Sequence, residues 1–483
     1  MTETGETAPT PPKSAPARID TPVEAALEAV RRATAGTPYE GVVWIVGGYV
    51  RDKLLGRRQD GDDVDLVTVA DALQLAALLR ERGASEIEPV VYPRFGTAMV
   101  RVRGVGIELV TARRESYAHE SRKPETVQPA TLEEDALRRD FTVNTLLENL
   151  HTGERRDPTG QGLADLSAHC LRTPLAPGAT FADDPLRMLR AVRFAGKLGF
   201  SIAPQTWDAL CAQAGRLAPP TVSYERIRDE FTKMLMVETP SQCLEMLRRS
   251  GLLEQFAPEL CETVGVTQNE FHALPVWDHT LLALDNLVAE DPGAPLPLRL
   301  ATLLHDIGKP RTKSVGEDGR IHFYTHQDVG AQMARGLLAR LKFSTSDTAA
   351  VVQLVAQHMR IGEYKPERWS DAAVRRLVRE ADGRMDALFA LHRADVSALS
   401  GEHQDTSRAQ ALRARIDTLE SERPSRQIAS PLTGEQVMAT LGIPAGKEVG
   451  RWKEWLLGEV LEGRLDADDT AAAREALRRQ AAR

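Results

Sequence analysis

Val42-Val43-Trp44-Ile45-Val46-Gly47-Gly48-Tyr49-Val50-Arg51-Asp52 at residues 42–52, with Asp63-Val64-Asp65 following at 63–65, is the stretch around which the 483-residue chain is organised. Val42 to Val46 is a short apolar run rich in β-branched residues and reads as a buried strand. Two glycines follow, and Tyr49 to Leu55 has the spacing of a helix. Strand, glycine pair and helix start make a place where backbone N–H groups can approach an anion closely. Asp63 and Asp65 then stand at i, i+2 at the head of a second apolar run, Leu66-Val67-Thr68-Val69. Side chains in a strand repeat with period two, so both carboxylates point to one face.

Two carboxylates side by side repel each other unless a cation neutralises them. Hard oxygen ligands suit magnesium, which keeps several waters and takes its remaining ligands from substrate phosphates. A phosphate-accepting glycine turn beside a metal-binding Asp-x-Asp points to two-metal nucleotidyl transfer. In this order the two motifs resemble a polymerase-β-type nucleotidyltransferase head. Either alone is ordinary, since Gly-Gly before a helix is common and Asp-x-Asp is often a solvated turn.

The length predicts two to four domains rather than one core. Aromatic residues are only 5% of the chain and Ala, Leu and Arg are abundant, which favours a largely helical body. No apolar run approaches ~18 residues and the first twenty lack a signal-peptide core, so a cytoplasmic protein with no membrane span is expected. Cys170, Cys211, Cys243 and Cys261 form no CxxC pair and read as free thiols. A net charge of −8 argues against a uniformly basic nucleic-acid binder, though not against RNA held on a local basic surface.

Taken in order, residues 1–20 have a disordered composition, and Thr21 to Ala35 reads as a capped helix. Ala70 to Glu81 is a second amphipathic helix. Val90–Tyr92, Thr97–Val102 and Ile107–Val110 read as strands, the last two joined through Arg103-Gly104-Val105-Gly106 as a hairpin. Glu108, inside the last of these, faces either water or a catalytic cleft, where it would be a third carboxylate. Residues 113–131 read as a mobile loop over the site, and Leu132 to Leu150 as a helix. That helix carries Arg138-Arg139-Asp140-Phe141-Thr142-Val143-Asn144, whose paired guanidinium groups match phosphate geometry. After Asp157-Pro158-Thr159-Gly160 strand signals stop. Asp183-Asp184-Pro185-Leu186-Arg187 opens a long helix with Arg190, Arg193 and Lys197 as a cationic stripe. Asp184 and Arg187 share a helical face and can present an acceptor beside a donor fork to a base edge.

VGGYVRD at 46–52, DVD at 63–65, RRDFTVN at 138–144 and DDPLR at 183–187 together resemble the class II tRNA nucleotidyltransferase and bacterial poly(A) polymerase family, across roughly residues 40–240. The resemblance implies that Gly47 and Gly48 hold the triphosphate, with Arg51 and Asp52 supporting the turn. It implies that Asp63 and Asp65 bind the catalytic magnesium ions, and that Arg138, Arg139 and Asp140 contact nucleotide sugar and phosphates. Asp184 and Arg187 would be the amino-acid template for CTP and then ATP. The family usually has Glu-Asp where this chain has Asp183-Asp184, which touches only the supporting position.

A second constellation lies further along. His279 follows Val276-Trp277-Asp278, Leu300 to Leu304 leads into His305-Asp306-Ile307-Gly308-Lys309, and His326, His358 and Asp395 follow on helical segments. Imidazole and carboxylate together suit divalent metals, whose open positions can activate water against a phosphate. This pattern resembles the HD phosphohydrolase superfamily, with His279, His305, Asp306 and Asp395 at its core positions and His326 and His358 as further ligands if a second ion is held. Nickel, manganese or magnesium would serve. The bland alternative is a metal-free relic that binds RNA. Ser421 to Arg426 reads as a linker, Thr433 opens a small helical tail, Trp452 and Trp455 read as packing, and the last dozen residues as a frayed helix.

The sequence thus predicts an α+β nucleotidyltransferase head at 21–155 and an all-α body. The body divides into a nucleotide-selecting neck at 156–260, an HD domain at 261–400 and a helical tail at 401–483. The expected activity is CCA addition to tRNA from CTP and ATP. The alternatives are poly(A) synthesis, partial CC or A addition, a phosphohydrolase with a degenerate head, and a non-enzymatic RNA-binding protein.

Overall fold

The computed structural model describes residues 21–57, 64–117, 124–425 and 428–482. Asp63 and the 1–20 segment lie outside the described residues. The chain forms two compact units, residues 1–187 with 199–213 and residues 188–198 with 214–483.

The first unit is built on a seven-stranded mixed sheet. Its strands are β1 (Val43–Val46), β2 (Val64–Thr68), β3 (Val90–Tyr92), β4 (Thr97–Val102), β5 (Val105–Thr111), β8 (Leu147–Asn149) and β9 (Arg155–Arg156), in the order β3-β4-β5-β2-β1-β8-β9. Only β2 and β5 run parallel; the other neighbours are antiparallel. All four residues of β1 are buried because both faces are covered. Trp44 and Val46 pack with Val67, Ala112, Leu132 and Leu147 in one apolar cluster. The helices Pro22–Thr34 and Ala72–Glu81 pack against β4 and β5. Thr21 and Asp71 cap these helices, each side chain accepting from first-turn amides.

Three local readings are corrected. The expected loop at 113–131 contains a separate hairpin, β6 (Arg113–Tyr117) with β7 (Pro124–Pro129). The β4–β5 link is tighter than expected: Val105 and Gly106 already pair, leaving Arg103 and Gly104 as the turn at φ 50° and 79°. The expected helix 132–150 stops at Leu137, is followed by one 3₁₀ turn at Thr142–Asn144, and then becomes β8 beside β1. Helical periodicity through this stretch is overridden by the open edge of β1, whose backbone groups β8 satisfies.

The second unit is mainly helical. Short two-residue strand pairs interrupt the helices past residue 160, so strand structure does not stop there entirely; Ser314–Val315 pairs with Ile321–His322. At the C-terminus Thr433 and Gln436 form a capping box for the helix Gly434–Leu441. The final helix, Thr470–Ala481, is not frayed, because Ala473 and Leu477 are buried with Val437, Val449 and Leu456. Trp452 and Trp455, in edge contact at 6.1 Å, pack against that cluster. Among the described residues no helix is long and apolar enough to cross a membrane.

Candidate active sites

In the first unit β1 runs straight into Gly47, whose backbone sits at φ 81° and ψ −137°, and the helix Gly48–Leu54 begins at the next residue. A Cβ at position 47 would lie 3.3 Å from Asp65 Oδ2 and 4.0 Å from Arg139 Nη1. Glycine is therefore favoured by the backbone conformation, and a methyl there would crowd Asp65 by a few tenths of an ångström. This one atom position brings together the glycine turn, the acidic strand and the arginine pair. Asp65 is in register with Val46 on β1 and with Glu108 on β5, so the two carboxylates stand side by side across parallel strands. Their donors are all oxygen, a set that fits a hard cation such as magnesium.

Arg138 and Arg139 do not lie within the expected helix. They follow the short helix Leu132–Leu137, which Thr131 opens with a capping box. Both reach back to Asp135, a buried residue that sequence reasoning passed over. Arg138 Nη2 lies 2.6 Å from Asp135 Oδ1, and Arg139 Nη2 3.1 Å from Oδ2. The Arg113 backbone N–H donates to Oδ1 as well. Burial opposes ionisation of Asp135, but the Arg139 and Arg138 charges hold its carboxyl below the ordinary value. The i, i+3 and i+4 spacing within Asp135-Ala136-Leu137-Arg138-Arg139 was the signal that could have found it.

Arg51 is buried and forms a fork with Asp52, Nε to Oδ1 at 2.6 Å and Nη2 to Oδ2 at 2.8 Å. Its Nη1 donates to Asn144 Oδ1, and Asn144 Nδ2 donates to Asp140 Oδ1, which also accepts from the Phe141 N–H. Arg51, Asp52, Asn144 and Asp140 thus tie the glycine-turn helix to the segment after the arginine pair. Gly48 lies against this network, its Cβ position 3.6 Å from Arg51 Nη2.

Asp184 and Arg187 do not share a helical face as expected. The preceding helix, Pro177–Asp183, ends before Asp184, which is extended at φ −141° because Pro185 disfavours a helical conformation there. Asp184 Oδ1 accepts from the Leu186 N–H, capping the helix Leu186–Leu198 that carries Arg187. Arg187 Nη2 donates to the Arg138 carbonyl at 2.5 Å. Arg187 is thereby fastened to the backbone of Arg138. Arg193 is not part of a solvated stripe: it is buried in the second unit and paired with Glu230 at 2.6 Å.

In the second unit His279 lies on the helix Val276–Glu290, and His305 caps the helix Leu296–Leu304. His326 opens the helix His326–Arg340, His358 begins a 3₁₀ turn, and Asp395 lies on the helix Met385–Ser397. Gly308 lets these elements meet, since a Cβ there would come 2.2 Å from the His326 carbonyl and 2.7 Å from the Gly330 amide. Three overlapping groups have all their ligand atoms within 4.8 Å: His272, His279 and Asp395; His279, His305 and Asp306; Asp306, His326 and His358. His272 was missed in the sequence, where it stands alone seven positions before His279.

The Nδ1 atoms of His305, His326 and His358 lie 2.8, 2.8 and 2.7 Å from the carbonyls of Thr302, Phe323 and Val355. A carbonyl only accepts, so each Nδ1 carries the proton and each Nε2 turns inward. His326 Nε2 and His358 Nε2 are 3.2 Å apart, with Asp306 Oδ1 at 3.5 and 3.9 Å. Burial pushes His326 below the ordinary imidazole value and, with His305 alongside, His358 down to about 3. Two lone pairs therefore face each other beside a carboxylate, an arrangement that a cation relieves. Donors about 2.1 Å from one ion at right angles stand about 3 Å apart, close to this spacing. His305 Nε2 and Asp306 Oδ2 are buried without a hydrogen bond of acceptable geometry, although Lys309 Nζ lies 2.6 Å from Asp306 Oδ2. The donor set fits one or more divalent ions. Burial alone would lower His305, but Asp306 and Asp395 drive it up to about 10; burial opposes ionisation of both carboxyls, yet His305 and Lys309 hold Asp306, and His279 and His305 hold Asp395, well below the usual range.

Three stretches of the chain match known protein families. Residues 43–172 match the poly A polymerase head domain, 199–263 a probable RNA and SrmB-binding site of polymerase A, and 276–418 the HD domain. The chain is 35% identical over 437 residues to the CC-adding tRNA nucleotidyltransferase of Thermus thermophilus, covering 89% of this chain and 92% of that one. It is also 35% identical over 430 residues to the A-adding tRNA nucleotidyltransferase of Deinococcus radiodurans, covering 87% and 92%. The fold resembles the Bacillus stearothermophilus CCA-adding enzyme solved in complex with CTP, with a TM-score of 0.67, 23% identity, and coverage of 96% and 99%.

Proposed function

The chain belongs to the tRNA nucleotidyltransferase family, a family of enzymes, and from that premise we propose that it adds CMP, CMP and AMP from CTP and ATP to tRNA 3′ ends. The observation that carries this reading is the meeting of Gly47, Asp65 and Arg139 within 4.0 Å of one atom position. Arg138 and Arg139, fanned by Asp135, hold the triphosphate, while Gly47 leaves room for it beside Asp65. Asp184 and Arg187 read the base edge. Asp65 with Asp63 would hold magnesium, with Glu108 beside Asp65 on the next strand, and the ion would supply the charge that lowers the pKa of the 3′-hydroxyl and neutralises the leaving pyrophosphate. The 3′-hydroxyl gives up its proton to water and its oxygen bonds to the α-phosphorus as the bond from that phosphorus to the α–β bridging oxygen breaks, releasing pyrophosphate.

A second reading, addition of CC alone or of A alone, is supported by the equal likeness to one CC-adding and one A-adding relative. One experiment separates these and poly(A) synthesis. Transcripts ending before the CCA, after the first C and after CC are incubated with CTP, ATP or both. Full addition gives three nucleotides on the shortest transcript with both NTPs. A stop after CC, extension only of the CC-ended transcript, or an A tail beyond one residue each sinks it in a different direction.

For the second unit we infer a divalent-metal phosphohydrolase on His279, His305, Asp306, His326, His358 and Asp395, with His272 an added ligand. A divalent ion held by these residues would activate a water for attack on phosphorus, the P–O bond to one ester oxygen breaking as that oxygen leaves with the proton the water gives up. Terminal 2′,3′-cyclic phosphates on RNA are the substrate to assay, with a nickel, manganese and magnesium series.

A further inference from the structure

Two residues ahead of His326 stands Tyr324, whose side chain is 71% exposed, the most exposed large hydrophobic residue among those described. A ring left in water contributes little to the core, so burial does not account for it. It is nonetheless held in place. The Tyr324 ring stacks on His322 with centroids 5.1 Å apart and an interplanar angle of 11°, and its hydroxyl lies 3.3 Å from His322 Nδ1. His322 is itself fixed in the strand pair with Ser314. Between Tyr324 and His326, Thr325 takes φ 61° and ψ 17°, a left-handed conformation that costs a β-branched residue energy. Phe323, in the same run, gives its carbonyl to His326 Nδ1.

One five-residue segment thus contributes an inward imidazole, the carbonyl that orients it and an exposed tyrosine ring stacked on a half-buried imidazole. We infer that His322 and Tyr324 form a nucleobase-stacking platform at the mouth of the second site, resting on the reading of that site as a phosphohydrolase. Two residues of backbone span at most about 7 Å, comparable to the reach from the phosphate of a nucleotide to its base. A phosphoester at the Asp306–His326–His358 group would then place its own base, or that of the terminal residue of an RNA, on the free face of Tyr324. Stacking tolerates any base, as suits an activity on RNA ends of varied sequence.

The test compares two substrates on the full-length protein in its activating metal: adenosine 2′,3′-cyclic phosphate and the base-free glycerol 1,2-cyclic phosphate. Tyr324→Ala should raise KM for the nucleotide about tenfold or more, the size of one lost base–aromatic stack. Its kcat should hold within about twofold, and Tyr324→Trp should restore KM, because the ring and not the hydroxyl is used. KM for the base-free ester should not move. Equal nucleotide KM in wild type and Tyr324→Ala overturns the platform. Hydrolysis of neither substrate with any metal overturns the phosphohydrolase reading instead. The platform is then decided by the extra tryptophan of Tyr324→Trp: AMP should quench it beyond the wild-type signal, less so when His322→Ala is added, and no excess quench overturns the proposal.

Discussion

In the first unit the acidic groups lie on neighbouring strands and every donor is an oxygen; in the second the donors are mainly imidazoles brought in by helix ends. Asp65 and Glu108 are aligned by sheet register, so their spacing is set by the backbone ladder itself. His305, His326 and His358 each depend on a hydrogen bond to a carbonyl three residues earlier, which fixes the ring and turns Nε2 inward. Two central strands of the sheet thus offer a half-buried carboxylate pair suited to an ion that travels with a nucleotide. A helical enclosure offers buried imidazole nitrogen suited to a resident ion.

The sharpest way to break this contrast is to remove one carboxylate from each site. Asp65→Ala should lower nucleotide incorporation at least about 10³-fold, since it removes a metal ligand and outer partners alone typically cost 10–100-fold. tRNA retention on filters and any cyclic-phosphate hydrolysis should survive it. Asp306→Ala should do the reverse. Loss of both activities in either variant would mean that the two chemistries are not separate.

Next in size is Gly47→Ala. The added methyl meets Asp65 Oδ2 at 3.3 Å on a backbone at φ 81°. Asp65 must give by a few tenths of an ångström and the turn takes on strain of about 1–3 kcal/mol, so incorporation should fall by up to about 10²-fold, with the loss on kcat. Incorporation within twofold of wild type would show that the turn does not position the metal carboxylate.

How much of this was legible in the sequence follows the same division. VGGYVRD could be read because strand, turn and helix start are local signals, and HDIGK because adjacent His-Asp is rare without a reason. Asp135 was invisible as a hub, since an acidic first turn before two arginines looks like surface charge until burial is known. His272 was missed because helix packing, not spacing, brings it to His279 and Asp395. The strand at Leu147–Asn149 was read as helix because only the open edge of β1 decides its conformation. Asp184 was placed in the helix it caps, as the proline after it marks a boundary without saying which side the aspartate takes.

A pH series sharpens the nitrogen side of the comparison. Burial lowers His305, but Asp306 and Asp395 outweigh it and raise its value to about 10, whereas burial takes His272 and His358 to about 3. A raised imidazole must release its proton before Nε2 can ligate, and the lowered ones have none to release near neutrality. Metal binding should therefore release about one proton between pH 6 and 8, and apparent affinity should rise about tenfold per pH unit. Calorimetry in two buffers of different ionisation enthalpy counts that proton; a count near zero would assign the neutral form to His305.

The smallest effect tests whether the oxygen side also depends on an outer partner. Asp135 binds both guanidinium groups of the arginine pair and, through Arg113, the first strand of the β6–β7 hairpin. Asp135→Asn keeps the size and one acceptor but removes the charge, which costs about 1 kcal/mol for a charge-assisted hydrogen bond left neutral. If Arg138 and Arg139 act on the triphosphate, KM for CTP and ATP should rise about fivefold together while kcat stays nearly constant. Asp135→Ala should be worse, and Asp135→Glu should recover part of the loss. A matching fall in kcat with KM unchanged would instead make Asp135 a support for the reacting groups, and the two sites would then be alike in needing a second layer.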